Sequence, residues 1–334
     1  MKIGITYDLR DEYLAQGFGE EETAEFDKVE TIEGIESALQ ALNHNTERIG
    51  NVKSLISKLA AGERWDLVFN IAEGMYGFGR EAQIPAVLDA YRIPYTFSDP
   101  LILTLTLHKG MTKRVIRDLQ IPTPDFYVVE DENHIKEVSL PLPLFAKPVA
   151  EGTSKGITET SKITDYRDLK SICLQLLRTF RQPVLVEGYL PGREFTVGII
   201  GTGNEAAVIG VMEVLLKENA EAGVYSYHNK ENYQKLVEYR LVSGDIVQSC
   251  TEVALKAWRG LGCRDAGRVD LKLDNAGVPN FIEVNPLAGL NPNNSDLPIL
   301  SGLAGISYQK LIGMILDTTL KRRREEFTQQ VKLR

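Results

Sequence analysis

Cysteine and histidine are scarce in this chain, with three and four among 334 residues. Cys173, Cys250 and Cys263 are scattered, with none of the spacings that hold a metal. The first two lie in apolar helical patterns and the third just precedes a strand, so all three read as small core residues. His44, His108, His134 and His228 show no mutual spacing for a metal site or a nucleophile pair. Zinc chemistry and a nucleophilic triad therefore have little support. Positive charge is also short, 38 Lys and Arg against 46 Asp and Glu, a net −8. That argues against a broad surface for nucleic acid or anionic membrane and leaves room only for a local basic pocket. No apolar run is long enough to span a bilayer, and the opening Met1–Tyr7 reads as a strand rather than a secretory signal. The expected compartment is the cytoplasm, with no membrane and no nucleic-acid partner.

What is present is a globular composition, 43% hydrophobic and 25% charged, over a length that suggests two or three domains. There is no internal repeat. Strand Met1–Tyr7, helices over Thr31–Asn43 and Val52–Ala61, strand Trp65–Asn70, a glycine-rich loop Gly74–Gly79, helix Gln83–Tyr91 and a short strand Ile93–Thr96 alternate along the first hundred residues. Such alternation predicts an α/β unit with a parallel sheet. An amphipathic helix His108–Leu119, strands Phe126–Val129 and Pro141–Pro148, a helix Tyr166–Phe180 and a strand Pro183–Glu187 predict a small α+β unit. Strands dominate from Arg193, with a helix Asp245–Leu261 and a last helix Tyr308–Thr319. The basic tail Lys321–Arg324 reads as a solvated helix end.

The chemistry concentrates near the C-terminal end. Gly267–Leu273 and Phe281–Pro286 alternate apolar with polar residues around a turn at Asp274–Gly277, which predicts a β-hairpin. Arg268 and Asp270 share one face of the first strand, Glu283 and Asn285 one face of the second. If those faces coincide, two carboxylates and an amide suit Mg²⁺, and the arginine suits developing negative charge. A surface hairpin with ordinary outward charges gives the same local pattern. Upstream, Glu151-Gly152-Thr153-Ser154-Lys155-Gly156 is a small-residue loop whose N–H groups and hydroxyls can cradle a phosphate. Lys147 and Lys109 are placed to add cations. The Glu187–Leu190 stretch, with Tyr189 inside it, can form the edge of an apolar base slot, and Glu194 can accept from ribose hydroxyls.

Taken in order, Lys147-Pro148, the loop 151–156, Val186-Glu187 to Val197, Arg268-Val269-Asp270 and Glu283-Val284-Asn285-Pro286 resemble the D-alanine–D-alanine ligases of the ATP-grasp superfamily. The resemblance implies an α/β, ATP-grasp fold: a parallel-sheet N-terminal domain over residues 1–100, then two α+β subdomains, 101–187 and 188–334, that clasp ATP. It implies that Lys109 and Lys147 bind ATP phosphates, with Glu151, Thr153 and Ser154 in the loop over the γ-phosphate. Glu187 and Leu190 would bracket adenine and Glu194 the ribose. Asp270, Glu283 and Asn285 would hold two Mg²⁺ ions. Arg268 and the Gly289 N–H would stabilise the tetrahedral intermediate, and Lys230 is the candidate for a lid lysine. A carboxylate would attack the γ-phosphate to give an acyl phosphate, which an amine then attacks. The resemblance also leaves room for a homodimer.

The sequence departs from the family where substrates are read. The family's glycine-rich opening motif is replaced by Tyr7–Arg10 and Glu20–Glu25, Lys155 replaces an apolar residue, and the loop Leu290–Asp296 differs. The expected substrates are therefore an amino acid or related small-molecule carboxylate and an amine, other than D-alanine. Arg10, Arg80 and Lys155 are candidates for an extra substrate carboxylate, Glu73 or Glu81 for an ammonium, and Asn294 and Ser295 for the second site. The alternatives are a genuine D-alanine–D-alanine ligase and a non-catalytic ATP-binding regulatory protein of the same fold.

Overall fold

The protein's structure, a computed structural model, describes residues 1–217, 219 and 233–332. Its first sheet is parallel, with strands β1 (Lys2–Thr6), β2 (Asn45–Gly50) and β3 (Leu67–Asn70) in the order β2-β1-β3. β1 and β3 are almost wholly buried, as strands covered on both faces must be. The connecting helices are α2 (Val29–Ala41) and α3 (Val52–Ala60), after a short α1 (Arg10–Ala15). The α2 stripe Ile32, Ile35 and Leu39 falls on the buried face, as its spacing predicts. Asn51 starts α3 by accepting from the Lys53 and Ser54 amides at 3.1 and 3.2 Å.

Besides α1, three elements here differ from expectation. β2 reads Asn-Thr-Glu-Arg-Ile-Gly and buries only Ile49, because it is an edge strand whose polar side chains meet water. The short strand expected at Ile93–Thr96 reduces to one bridging residue, Tyr95 opposite Val68. An extra helix α5 (Pro100–Leu107) follows α4 (Gln83–Tyr91); Asp99 caps it by accepting from Ile102 N at 3.1 Å, and Pro100 occupies its first position. Next comes α6 (Lys109–Asp118), capped by His108 Nδ1, which accepts from Met111 N at 3.2 Å.

The second sheet is β4 (Phe126–Val129), β5 (Leu144–Pro148), β6 (Lys162–Ile163) and β7 (Val184–Gly188), antiparallel in the order β4-β7-β5-β6. Helix α7 (Tyr166–Phe180) covers it with Leu169, Cys173 and Leu176. The third sheet is β8 (Glu194–Ile200), β9 (Ala207–Leu216), β10 (Val237–Leu241), β11 (Ala266–Leu273) and β12 (Pro279–Asn285), antiparallel in the order β10-β9-β8-β11-β12. A one-turn helix α8 (Tyr233–Leu236) leads into β10, and α9 (Asp245–Leu261) packs Cys250, Ala254, Trp258 and Leu261 on this sheet. All three cysteines are buried free thiols, and burial pushes those of Cys173 and Cys250 up to about 12 and about 11.

The chain then returns to its start. After α10 (Asp296–Leu303), helix α11 (Tyr308–Lys332) puts Leu311, Ile312, Ile315 and Leu316 into the core of the first sheet, beside Ile3, Ile5, Ile35 and Leu39. We propose that boundaries near residues 100 and 187 describe the three sheets, with this last helix serving the first. Asp265, wholly buried at φ 62°, joins the parts. Its carboxylate accepts from Phe97 N at 2.9 Å, the Thr319 hydroxyl at 2.8 Å and both Nε and Nη2 of Arg322 at 3.0 and 2.9 Å. Arg322 is therefore no solvated tail residue; only 12% of its side chain is exposed. Among the described residues no single helix is long and apolar enough to cross a membrane.

Candidate active site

The hairpin β11–β12 pairs Arg268 with Asn285 and Asp270 with Glu283 directly across the strands, so the two polar faces do coincide. Strand β8 on the other side brings Thr196, whose hydroxyl donates to Asp270 Oδ1 at 2.9 Å. Arg268 donates to Asp270 Oδ2 and lies 3.6 Å from Asp296 Oδ2. Burial pushes the Asp270 carboxyl up to about 6; Arg268 opposes this, and Glu283 and Asp296 add to it. Lys109 Nζ sits 3.3 Å from Glu283 Oε2. Negative charge is thus in excess at a buried point, and every metal-ligand candidate offers oxygen. Among the described residues no three acidic, histidine or cysteine side chains converge as a closed metal cage. Two carboxylates and an amide fit Mg²⁺, which takes its remaining ligands from water and phosphate. Asp270, Glu283 and Asn285 are the residues that would hold it.

Lysines approach the same place from the second sheet. Lys147 on β5 lies 2.8 Å from Glu187 Oε1, and Lys113 on α6 lies 2.7 Å from Glu187 Oε2. Burial raises the Glu187 carboxyl, but the two ammonium groups outweigh it and hold it down to about 2. Glu187 lines the slot between the sheets, yet its carboxylate is committed to the lysines rather than turned to a base. Tyr189, Leu190, Glu194, Phe145 and Ile282 complete the walls of that slot. Lys109 Nζ also donates to the Glu151 carbonyl at 2.6 Å, tying α6 to the phosphate loop.

The loop itself is bent. Thr153 and Ser154 both take left-handed backbone angles, φ 50° and 56°, and both line the slot. Gly156 follows at φ 73°, where a Cβ would meet Pro148 Cγ at 2.6 Å and the Phe180 ring at 2.7 Å, so glycine is required. Glu25 from the N-terminal segment holds the loop, accepting from Gly152 N and from Lys155 Nζ, each at 2.8 Å.

A second cavity opens on the other side of Arg268. Arg10, Glu73, Gly289, Asn294 and Ser295 all line it, together with Glu25, Asp27 and Glu81. A Cβ at Gly289 would lie 2.8 Å from Ser295 Oγ, so a side chain there would displace that hydroxyl. Arg80 and Lys155 correct the expectation that they read a substrate carboxylate. Arg80 is ion-paired with Glu25 at 2.5 Å, and Lys155 with Glu25 and Glu151. These pairs win over burial and hold the Glu25 carboxyl down to about 2. Arg10 reaches Glu20 at 2.6 Å while still bordering the cavity. Burial pushes Asp27 up to about 8, Glu81 up to about 7, and Glu73 well above the usual range. Thr153, Arg268, Glu283 and Asp296 line both cavities and mark their junction. Lys230, the candidate lid lysine, lies outside the described residues.

Several residues were missed by sequence reasoning. Lys272 lines the slot and pairs with Glu194 at 2.9 Å; its place two residues beyond Asp270 on one strand face was the available signal. Lys113 lies one helical turn beyond Lys109. Glu25, Asp27 and Asp296 carried no local signal.

Two antiparallel sheets closing on a slot, with lysines from one and an Arg-Asp/Glu-Asn hairpin from the other, define an ATP-grasp enzyme. The model of the D-ala D-ala ligase C-terminus matches residues 115–317. The D-alanine–D-alanine ligase of Bordetella pertussis is 35% identical over 278 residues, 79% of this chain and 81% of that one. The D-alanine–D-alanine ligase of Bordetella petrii is 31% identical over 289 residues, 85% of each. The fold is that of the Bacillus anthracis D-alanine–D-alanine ligase solved with ATP, at a TM-score of 0.73 over 98% of this chain and 99% of that one, with 22% identity. The chain belongs to the D-alanine–D-alanine ligase family, and it is an ATP- and Mg²⁺-dependent ligase that forms C–N bonds.

Proposed function

We propose that the protein joins a small-molecule carboxylate to an amine through an acyl phosphate, and that its substrate is an amino acid or related molecule other than D-alanine. The observation that carries this reading is the junction of the two cavities at Thr153, Arg268, Glu283 and Asp296. A nucleotide in the slot and a carboxylate in the second cavity would meet there. The carboxylate oxygen attacks the γ-phosphorus and ADP leaves; the amine nitrogen then attacks the acyl carbon, phosphate leaves, and the amine gives up a proton. A carboxylate is a poor acyl donor at neutral pH, so the phosphoryl step supplies the activation. Lys147 and Lys109 orient and neutralise the phosphates. Arg268 and the Gly289 N–H face the oxygen that gains charge when the acyl carbon becomes tetrahedral. Bound Mg²⁺ would supply charge neutralisation between phosphate oxygens. No covalent protein nucleophile is needed.

The substrate reading is supported by the cavity wall. Asp27, Glu73 and Glu81 are carboxyls lifted by burial, and all three line the second cavity. The single ammonium of alanine satisfies one of the three and its methyl group offers the others nothing, whereas a larger substrate with an extra ammonium or several hydrogen-bond donors partners them as well. The test is phosphate release from Mg·ATP with pairwise mixtures of D- and L-amino acids, β-amino acids and small carboxylic acids, followed by mass spectrometry of each positive. A new amide mass from a pair lacking D-alanine is the expected result, and Asp270→Asn should abolish phosphate release and amide formation together. Turnover with D-alanine alone sinks the substrate reading. Unchanged turnover in Asp270→Asn sinks the metal assignment.

A further inference from the structure

Glu194 opens β8 and Lys272 stands opposite it on β11. The Lys272 ammonium lies 2.9 Å from Glu194 Oε2 and 5.8 Å from the centre of the Tyr189 ring. Both side chains line the slot and both are largely withdrawn from water, at 18% and 26% exposure. The pairing is thus partly desolvated, where a charge-assisted hydrogen bond is stronger than at an open surface. Lys272 also shares its strand face with Arg268 and Asp270, the residues at the junction of the two cavities. A lysine on this strand therefore reaches sideways to the carboxylate at the sugar end of the slot.

A glutamate at a strand end has three rotatable side-chain bonds, and accepting two sugar hydroxyls requires all three to be fixed. Lys272 fixes them through Oε2 and leaves Oε1 open. It also cancels a carboxylate charge that would otherwise sit beside an anionic ligand. Resting on the reading of this slot as the nucleotide site, we infer that Lys272 is a specificity-determining positioning residue: by pinning Glu194 it makes the slot select ribonucleotides over deoxynucleotides. Glu194 does the accepting and Lys272 acts through it.

The experiment is calorimetric binding of the β,γ-imido analogue of ATP and its 2′-deoxy and 3′-deoxy counterparts, with Mg²⁺ present and no second substrate. The full chain is compared with Lys272→Met, Lys272→Arg, Glu194→Gln and the Lys272→Met/Glu194→Gln double variant. Met keeps the apolar stem and Arg keeps the charge. The wild type should favour the ribose analogue by about tenfold or more, the size of one charge-assisted hydrogen bond. Lys272→Met should bring that ratio close to one, Lys272→Arg should retain most of it, and the double variant should bind no more weakly than Glu194→Gln. A Lys272→Met protein that binds all the analogues more weakly by the same factor, or that keeps the wild-type ratio, overturns the inference while leaving the slot assignment intact. A wild type that binds no analogue overturns both.

Discussion

Glu187→Gln should destabilise the protein by about 3 kcal/mol at pH 6, and by clearly less at pH 9. Glu187 is 3% exposed and Lys113 not at all, and the triad they form with Lys147 holds two buried ammonium groups against one carboxylate. The surplus positive charge falls on the deeper lysine. Burial pushes Lys113 down to about 8 in spite of Glu187, while the same contacts hold Glu187 down to about 2. Breaking a buried ion pair by removing one partner costs about 3–5 kcal/mol, because a charge is left without compensation. The low end applies here, since Lys113 can shed its proton and the glutamine oxygen can still accept from one lysine. A lysine with a folded value below its unfolded value binds fewer protons when native, so its contribution to stability rises with pH across that window. In the variant the Lys113 value falls further and the window opens at lower pH, so the gap to the wild type narrows between pH 6 and pH 9. Hydrogen exchange of α6 and β7 amides under native conditions reads this locally, without requiring the whole chain to unfold in one step. A loss below about 1 kcal/mol at pH 6, or an equal loss at both values, would refute the account of the triad.

Two further outcomes follow from buried carboxylates. Asp265→Ala should cost about 3–5 kcal/mol, because it strands the Phe97 amide and the Arg322 guanidinium, and Arg322→Met added to it should recover part of the lost thermal midpoint. Asp27 and Glu81 have folded values above their unfolded ones, about 8 and about 7, so the native state binds more protons than the unfolded chain across that range. Their contribution to the ligand-free protein's stability should therefore fall as pH rises from about 4 toward 8; Asp27→Asn should flatten part of that slope in urea titrations, and an unchanged slope would remove Asp27 from the account.

The hairpin β11–β12 was legible because a period of two fixes both the strands and the face each side chain takes, and only the register had to be supplied by folding. Lys272 obeyed the same period and was still passed over, since an unpaired lysine on a strand reads as solvated until its partner is known. β2 was hidden for the opposite reason: an edge strand needs no apolar alternation. The Glu25 cluster could not be read at all. Its partners Arg80 and Gly152 stand 55 and 127 residues away, and short-range patterns carry no information over such distances. That is also why Arg80 and Lys155 looked free for a substrate when the fold had already paired them.

The return of α11 to the first sheet has a consequence in time. Ile3 and Ile5 pack with Leu311, Ile312, Ile315 and Leu316, which lie more than 300 positions later in the chain. At about 5–20 residues per second, the ribosome delivers those partners roughly 15–60 seconds after the strand they cover. Through that interval the nascent first sheet has α2 on that face but not α11, so the apolar surface that α11 will cover stays open, while the second and third sheets can close on local contacts. The earliest of the three sheets in the chain is thus the last to be completed, and the surface awaiting α11 is where a nascent-chain chaperone would find this protein.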